Sequence, residues 1–343
     1  MSESEGSSGA RVLVADPMYA DVASSVDPTY EELDLVCADE EHSATDLASD
    51  GIVGLITQDA AVDADLLEQL PDLDVVLSTG RNYQHVDVDA VRDRDVTFAS
   101  VPRKGPNCVA ELALTFILSL SKDLLVSHDS VASGAYRMRG LKPEVTAQWE
   151  MAYHWMKNTR VHEVRHKTLG IVGMGEIGCE LARRASVLGM HTLYYKRTPL
   201  SPELEGRFDA SYRDLDSLLK ESDYVCLAVP HTPETEDMIG EQELALMNED
   251  AFLVNICRGG VVDEEALVSA LEEKRIAGAG LDVFEYEPLP EDSPLCTLDN
   301  VILTPHMGGG TGTSPELELQ EALVEMGRIL SGAEPTNDLS DHS

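Results

Sequence analysis

The stretch Thr168-Leu169-Gly170-Ile171-Val172-Gly173-Met174-Gly175-Glu176-Ile177-Gly178 decides the fold. It opens as a short apolar β-like run, passes through G-x-G-x-x-G, and leads into LARRASVLGM (181–190), which has helical periodicity. Glycines at 173, 175 and 178 permit a tight turn, a close approach of a pyrophosphate to backbone N–H groups, and close helix–strand packing. The helix N-terminus that follows adds partial positive charge. Outward from this motif, five more β-like runs recur at βα spacing: HTLYY (191–195), YVCLAVP (224–230), AFLVNIC (251–257), GAGLDVF (278–284) and NVILTPH (300–306). Together they predict a complete doubly wound nucleotide-binding sheet of six strands.

Upstream, RVLVAD (11–16), GIVGLIT (51–57), DVVLSTG (74–80) and VTFASV (96–101) alternate with helix-like segments and predict a second parallel sheet. Residues 109–125, VAELALTFILSLSKDLL, are apolar on most faces and predict a long buried helix bridging two domains. An amphipathic helix from about Pro315 to Leu330 is expected to return to the first domain. The fold class is therefore α/β, with two doubly wound Rossmann-like domains. The expected boundaries are 10–107 plus 311–335 for a flavodoxin-like domain and 108–310 for the nucleotide-binding domain, with disordered tails at 1–9 and 336–343.

Composition narrows the partners. The 343 residues carry 63 Asp+Glu against 25 Lys+Arg, a formal charge of −38. Such a field repels phosphate backbones and anionic headgroups, so nucleic acid and membrane surfaces are not expected partners. With 43% hydrophobic residues the chain still builds a packed core, which assigns the acidity to a surface. That balance, with lysine scarce, is like that of proteins from salt-accumulating microbes. The acidic start MSESEGSSGA lacks the features of a signal peptide, and no apolar run approaches the roughly 20 residues of a membrane helix. Six scattered cysteines without a C-x-x-C pair fit buried thiols in a reducing compartment, so a cytoplasmic location is expected.

Eighteen residues after Gly178, where an NAD-binding site usually places a carboxylate for the ribose 2′-hydroxyl, the chain reads Tyr195-Lys196-Arg197-Thr198. Lys196, Arg197 and the Thr198 hydroxyl suit a 2′-phosphate through charge-assisted hydrogen bonds. NADP(H) is expected as the preferred cofactor, with NAD(H) as the alternative. On the other reading, the two cations are solvated loop charges.

The blocks STGRNYQHVDVDA (78–90), VAELAL (109–114), KTLGIVGMGEIG (167–178), NICRGGVVDEEAL (255–267), GAGLDVFEYEP (278–288) and TPHMGGG (304–310) resemble, in order and spacing, the D-isomer-specific 2-hydroxyacid dehydrogenases. The resemblance implies an NAD(P)-dependent oxidoreductase acting on a small 2-keto or 2-hydroxy acid, with Arg258, Glu287 and His306 as the catalytic set. It implies that Gly80, Arg81 and Asn82 bind the substrate carboxylate. It also implies that Gly173, Gly175, Glu176, Ile177, Gly178, Lys196, Arg197, Thr198, Pro230, Thr235, Ile256, Cys257, Asp282, His306 and Gly308 line the cofactor. A homodimer joined through the nucleotide-binding domain is a further implication, with the long segment from Arg137 to Trp155 reaching across to a partner.

The chemistry leads to the same three residues. All follow the carboxyl ends of expected strands, where ligands bind in doubly wound sheets. Reduction of a 2-keto acid needs a fixed cation for the carboxylate, which Arg258 supplies bidentately, and a proton donor for the developing alkoxide, which His306 supplies. Glu287 beside the imidazole would favour the imidazolium. Departures from the family pattern concern the substrate: Asn82 replaces a glycine, Cys257 a small residue and His231 an apolar one. Arg81 either adds a second guanidinium over the substrate or points to solvent. A corepressor-like relative that senses redox state without catalysis is the alternative class. Glyoxylate or hydroxypyruvate reduction and phosphoglycerate oxidation are the alternative specific activities, and formate or phosphite oxidation is a more distant one. His162-Glu163-Val164-Arg165-His166 matches H-E-x-x-H, but that zinc chemistry needs a helix and a third ligand, so no metal is expected.

Overall fold

A computed structural model describes residues 9–23, 26, 33–143, 145, 155, 158–309 and 315–340. Residues 1–8 of the expected N-terminal tail, much of the 137–155 segment and residues 310–314 lie outside these. Contacts within the chain divide it into two units, Met1–Asn107 with Gly309–Ser343, and Cys108–Gly308.

The first unit holds a parallel sheet of β1 (Ala10–Val14), β2 (Leu33–Cys37), β3 (Ile52–Thr57), β4 (Val75–Thr79) and β5 (Thr97–Val101), in the order β2-β1-β3-β4-β5. This is the flavodoxin-like order. Central strands β3 and β4 are almost wholly buried, as a parallel sheet covered on both faces requires. The helix Pro315–Leu330 buries Leu319, Ala322, Leu323, Met326 and Ile329, an i, i+3, i+4 stripe, against Val12, Val14, Ile56 and Leu77. The Arg103 guanidinium pairs with Glu318 at 3.0 Å, and Lys104 pairs with Glu321.

Two expectations need correction in this unit. β2 was missed because it is a half-exposed edge strand broken by Asp34. The expected C-terminal tail is ordered over its described residues 336–340. Leu339 is completely buried, its N–H donates to the Phe98 carbonyl at 2.7 Å, and the Ser100 N–H donates to the Asn337 carbonyl at 3.1 Å. The segment runs antiparallel to β5 and covers that open edge.

The second unit contains β6 (Thr168–Val172), β7 (His191–Tyr195), β8 (Ala210–Tyr212), β9 (Tyr224–Leu227), β10 (Phe252–Asn255), β11 (Gly278–Leu281) and β12 (Val301–Leu303). They form one parallel sheet in the order β12-β11-β10-β9-β6-β7-β8. Counted from β6 this is the dinucleotide-binding order 3-2-1-4-5-6 with a seventh strand appended. The appended strand is β12; β8, third in that order and not among the six expected strands, is three residues long and too short to show periodicity. The expected 109–125 helix instead runs Lys104–Ser121, and a second helix begins at Leu124 after Asp123, whose φ is +47°. Leu124 and Leu125 are half exposed, so the apolar run continues past the end of the buried helix.

Candidate active site

The glycine motif lies where β6 turns into the helix Glu176–Val187, which buries Gly178, Leu181, Ala182 and Ala185 along one stripe. Gly173 has φ +104°, and a Cβ there would stand 2.4 Å from the Ala228 carbonyl oxygen of the neighbouring strand's end. A Cβ on Gly178 would meet the Gly173 carbonyl oxygen at 2.5 Å. Gly175, by contrast, has nothing within 4 Å. Two glycines therefore close the turn, and the third leaves its backbone facing open space at a helix N-terminus, as the pyrophosphate of a dinucleotide requires. Glu176 and Ile177 are half-buried in the first helical turn.

At the end of β7, Lys196 is half-buried while Arg197 and Thr198 are exposed. Burial pushes the Lys196 ammonium below its ordinary pKa, partly offset by negative charge that includes Glu176. Across from Arg197 stands Glu234, whose carboxyl is held below its ordinary value first by the Thr232 hydroxyl, at 2.8 Å, and in lesser part by the Arg197 charge. Thr235 Oγ1 donates to the Pro230 carbonyl at 2.7 Å and accepts the Thr232 N–H at 2.8 Å, which fixes the loop after β9.

Arg258, Glu287 and His306 follow β10, β11 and β12 at their carboxyl ends. His306 Nδ1 lies 2.6 Å from Glu287 Oε2, and Glu287 Oε1 accepts the Phe284 N–H at 3.2 Å. Burial opposes ionisation of Glu287. The hydrogen bonds from His306 and Phe284, with the charges of His306 and Arg258, outweigh it and hold the carboxyl below its ordinary value. Both members of the pair open on a cavity of about 450 Å³ bounded by Phe284, Pro288, Leu289 and Leu303. Arg258 is exposed and its Nη1 donates to the Cys257 carbonyl at 2.6 Å. A second cavity of the unit, about 520 Å³, lies by His162, Tyr224 and Phe252 at the amino ends of the strands, away from this chemistry.

His306 has φ +52°, a left-handed conformation that costs a non-glycine residue on the order of 1–3 kcal/mol. Asp282, 1% exposed, holds it there. One of its carboxylate oxygens accepts the Thr304 hydroxyl at 2.5 Å and the Met307 N–H at 2.9 Å, while the other accepts the Gly308 N–H at 2.9 Å. Both oxygens are thus engaged by the 304–308 loop. The resemblance implies a cofactor role for Asp282; the geometry shows it anchoring the loop that carries His306.

Sequence reasoning passed over residues that hold Arg258. Asn255, 2% exposed, donates to the Arg258 carbonyl at 3.0 Å and accepts the Cys257 N–H at 3.1 Å. Its signal was a lone amide ending an apolar run. Ile256 and Cys257 are buried, and burial pushes the Cys257 thiol up to about 11. A Cβ on Gly259 would stand 1.9 Å from the Phe284 carbonyl oxygen, so the Arg258 turn and the Glu287 loop touch along their backbones.

In the first unit, Gly80 has φ +108° and its N–H donates to the Val101 carbonyl at 2.6 Å. Asn82 has no positive φ, so replacing a glycine there imposes no left-handed strain. Arg81 and Asn82 are both half-buried. The H-E-x-x-H segment lies outside any helix. His162 Nε2 meets the Tyr224 hydroxyl at 2.6 Å, while His166 is exposed with φ +63°.

A dinucleotide turn, a His–Glu pair and an arginine at the carboxyl ends of one doubly wound sheet define a nicotinamide-dependent dehydrogenase. The model of the D-isomer specific 2-hydroxyacid dehydrogenase NAD binding domain matches residues 115–308. The chain is 42% identical over 262 residues to the glyoxylate reductase of Thermococcus gammatolerans, covering 76% of this chain and 74% of that one. It is 40% identical over 259 residues to glyoxylate/hydroxypyruvate reductase B of Klebsiella pneumoniae, covering 75% of each. Among solved structures, the apo D-mandelate dehydrogenase of Rhodotorula graminis is similar, with TM-score 0.54, 27% identity, and coverage of 97% of this chain and 98% of that one. The chain belongs to the D-isomer-specific 2-hydroxyacid dehydrogenase family. It is an NAD(P)-dependent oxidoreductase acting on the CH–OH group of 2-hydroxy acids. Among the described residues, no helix is long and apolar enough to cross a membrane.

Proposed function

We propose that the chain is an NADPH-preferring reductase of glyoxylate, hydroxypyruvate or a similarly small 2-keto acid, with Cys108–Gly308 binding the nucleotide and the other unit contributing to substrate binding. The observation that carries this reading is the 2.6 Å His306–Glu287 contact at the carboxyl end of the sheet that holds Arg258. The nicotinamide, when bound, supplies the hydride. Arg258 takes the substrate carboxylate in a bidentate contact and polarises the keto oxygen. Glu287 holds the proton on His306 Nδ1, which orients Nε2 to donate its proton to the oxygen as it becomes an alkoxide; in oxidation Nε2 accepts it. Gly80, Arg81 and Asn82 are substrate-binding residues in the same reading. The names of the two reductase relatives favour the small substrates.

Lys196 and Arg197 support NADP(H) over NAD(H), since both cations stand at the end of β7, where a carboxylate would repel a 2′-phosphate. The half-exposed Leu124, Leu125 and Val131 of the nucleotide-binding unit support a homodimer through that unit. The scattered free thiols support a cytoplasmic location, and the −38 charge a salt-rich one. The test is a panel of 2-keto acids with NADPH and NADH at low and high KCl, for the parent and for His306→Ala. Expected are higher kcat/KM with NADPH and a loss of roughly 10²–10⁴-fold in kcat for His306→Ala with cofactor affinity retained. Parental turnover by that variant refutes the acid role, and a preference for NADH refutes the ribose reading.

A further inference from the structure

We propose that His231 and Glu236 form a strut that positions the Arg258 turn, and so tune binding of the substrate carboxylate without touching the substrate. This rests on the carboxylate-binding role of Arg258 proposed above. His231 is one of the positions where the chain departs from the family pattern, which has an apolar residue there, and the chemistry described so far makes no use of it. It follows Pro230 on the loop after β9, and its Nε2 pairs with Glu236 Oε2 on the same loop.

The paired ring lies against the Arg258 turn. A Cβ at Gly260 would stand 2.7 Å from both Cε1 and Nε2 of His231, so the imidazole occupies the space that any side chain at 260 would need. The same loop is stitched to the turn by its backbone. The Asp237 N–H donates to the Gly260 carbonyl at 2.9 Å, and the Ile239 N–H donates to the Val261 carbonyl at 3.1 Å. On the other flank, Gly259 abuts the Phe284 carbonyl, and the Phe284 N–H is bonded to Glu287. The Arg258 turn is thus gripped between two histidine–glutamate pairs, one carrying the acid–base chemistry and the other bearing on Gly260. An apolar side chain at 231 would fill the space, but it would lack a partner to fix its rotamer. A ring tied to a carboxylate holds one orientation, and Arg258, exposed and at the mouth of the turn, gains the most from a fixed base.

The test measures steady-state kinetics of the full-length enzyme with glyoxylate and NADPH for His231→Ala, Glu236→Ala, Glu236→Gln, Gly260→Ala, His231→Ala/Gly260→Ala and Arg258→Lys. Loss of the strut is expected to raise the KM for the keto acid about 10-fold with kcat and the KM for NADPH within about twofold, the pattern of lost ground-state and transition-state binding alike. Glu236→Gln, which keeps an acceptor for the ring, is expected to recover most of the loss seen in Glu236→Ala. Gly260→Ala alone is expected to raise the same KM, because its methyl displaces the ring. In the double variant the methyl enters the vacated space, so the two losses do not add. Additive losses, an unchanged KM in His231→Ala, or a parallel fall in kcat and thermal stability each overturn the strut. If Arg258→Lys leaves the keto-acid KM at the parental value, the role assigned to Arg258 fails. If Arg258→Lys raises it while His231→Ala does not, only the strut fails.

Discussion

The three glycines of the phosphate turn make separable contributions, and Gly173→Ala against Gly175→Ala tests them. At Gly173 an added methyl meets two penalties. The residue sits at φ +104°, which costs an L-residue on the order of 1–3 kcal/mol, and its Cβ would stand 2.4 Å from a backbone carbonyl oxygen that cannot rotate away. Overpacking of that kind costs a further ~1–3 kcal/mol. For a unit of about 200 residues, where 1 kcal/mol moves Tm by roughly 2–4 °C, Gly173→Ala is expected to lower Tm by roughly 4–24 °C. At Gly175, φ is −91° and nothing lies within 4 Å. The only folding penalty there is a poorer N-cap, up to about 1 kcal/mol, so Tm is expected to move by no more than roughly 4 °C. The methyl would instead stand where the pyrophosphate approaches the helix N-terminus. Loss of one charge-assisted hydrogen bond, worth about 1.5–3 kcal/mol, weakens cofactor binding roughly 10- to 100-fold. Differential scanning fluorimetry and titration of NADPH fluorescence, both at constant KCl, measure the two quantities. If Gly175→Ala binds NADPH with the parental Kd, this turn is not the pyrophosphate cradle and the assignment of the whole motif falls.

Asp282→Ala is expected to act on His306 rather than on the cofactor. It removes the acceptor of two N–H groups and a hydroxyl, about 1–3 kcal/mol for each group left buried and unpaired, and frees a loop whose displacement by ~1 Å costs on the order of 10²-fold in kcat. A large rise in the NADPH Kd with kcat preserved would instead make Asp282 a cofactor ligand. Stability against acid follows in part from two partly buried glutamates, Glu287 and Glu325, held below the ordinary value of 4.5. Burial opposes ionisation of both, but His306 and Phe284 outweigh it at Glu287, as the Thr336 N–H and Arg328 do at Glu325. The unfolded chain therefore takes up protons at higher pH than the folded one. The contribution of each glutamate is complete above about 4.5 and is lost as pH falls through its lower folded value. Tm measured from pH 6 to pH 3 at fixed KCl should fall over that window, less steeply in Glu325→Gln, and an equal slope in that variant would refute the attribution.

The fold was legible where the sheet is buried on both faces, because strands such as Tyr224–Leu227 and Gly278–Leu281 read as unbroken apolar runs between helical segments. It was illegible where burial is partial or the element short. Leu33–Cys37 lies half in solvent and Ala210–Tyr212 has too few residues for a period. The 336–340 segment owes its order to a long-range pairing with Thr97–Val101, which local composition does not encode. Arg258, Glu287 and His306 stood out because charged residues at strand ends interrupt apolar runs. Their supports did not: Asn255 acts within its own turn through a side-chain amide, while the Gly259–Phe284 contact and the hold of the Asp282 carboxylate on the 304–308 loop join segments more than 20 residues apart, and a single sequence carries no mark of which loops meet.

The sparse cations divide by what they touch, and the division separates structure from chemistry. Arg103, Lys104, Lys167, Arg184, Arg213 and Arg328 each pair with a carboxylate, and all but Lys167 help tie a helix to its own or a neighbouring segment. Pairs of this kind at a surface contribute about 0–1 kcal/mol apiece and weaken as salt screens them. Arg258 is placed differently, its Nη1 bonded to the carbonyl of the preceding residue beside the lowered carboxyl of Glu287. An arginine kept exposed among 63 carboxylates is attracted to any of them that can reach it, so a turn that keeps it at the sheet's carboxyl edge has to be stiff. Contacts on both flanks of that turn, Phe284 against Gly259 and His231 against Gly260, supply the stiffness. In a chain this acidic, guarding a cation from its own carboxylates is as much a part of anion recognition as the cation itself.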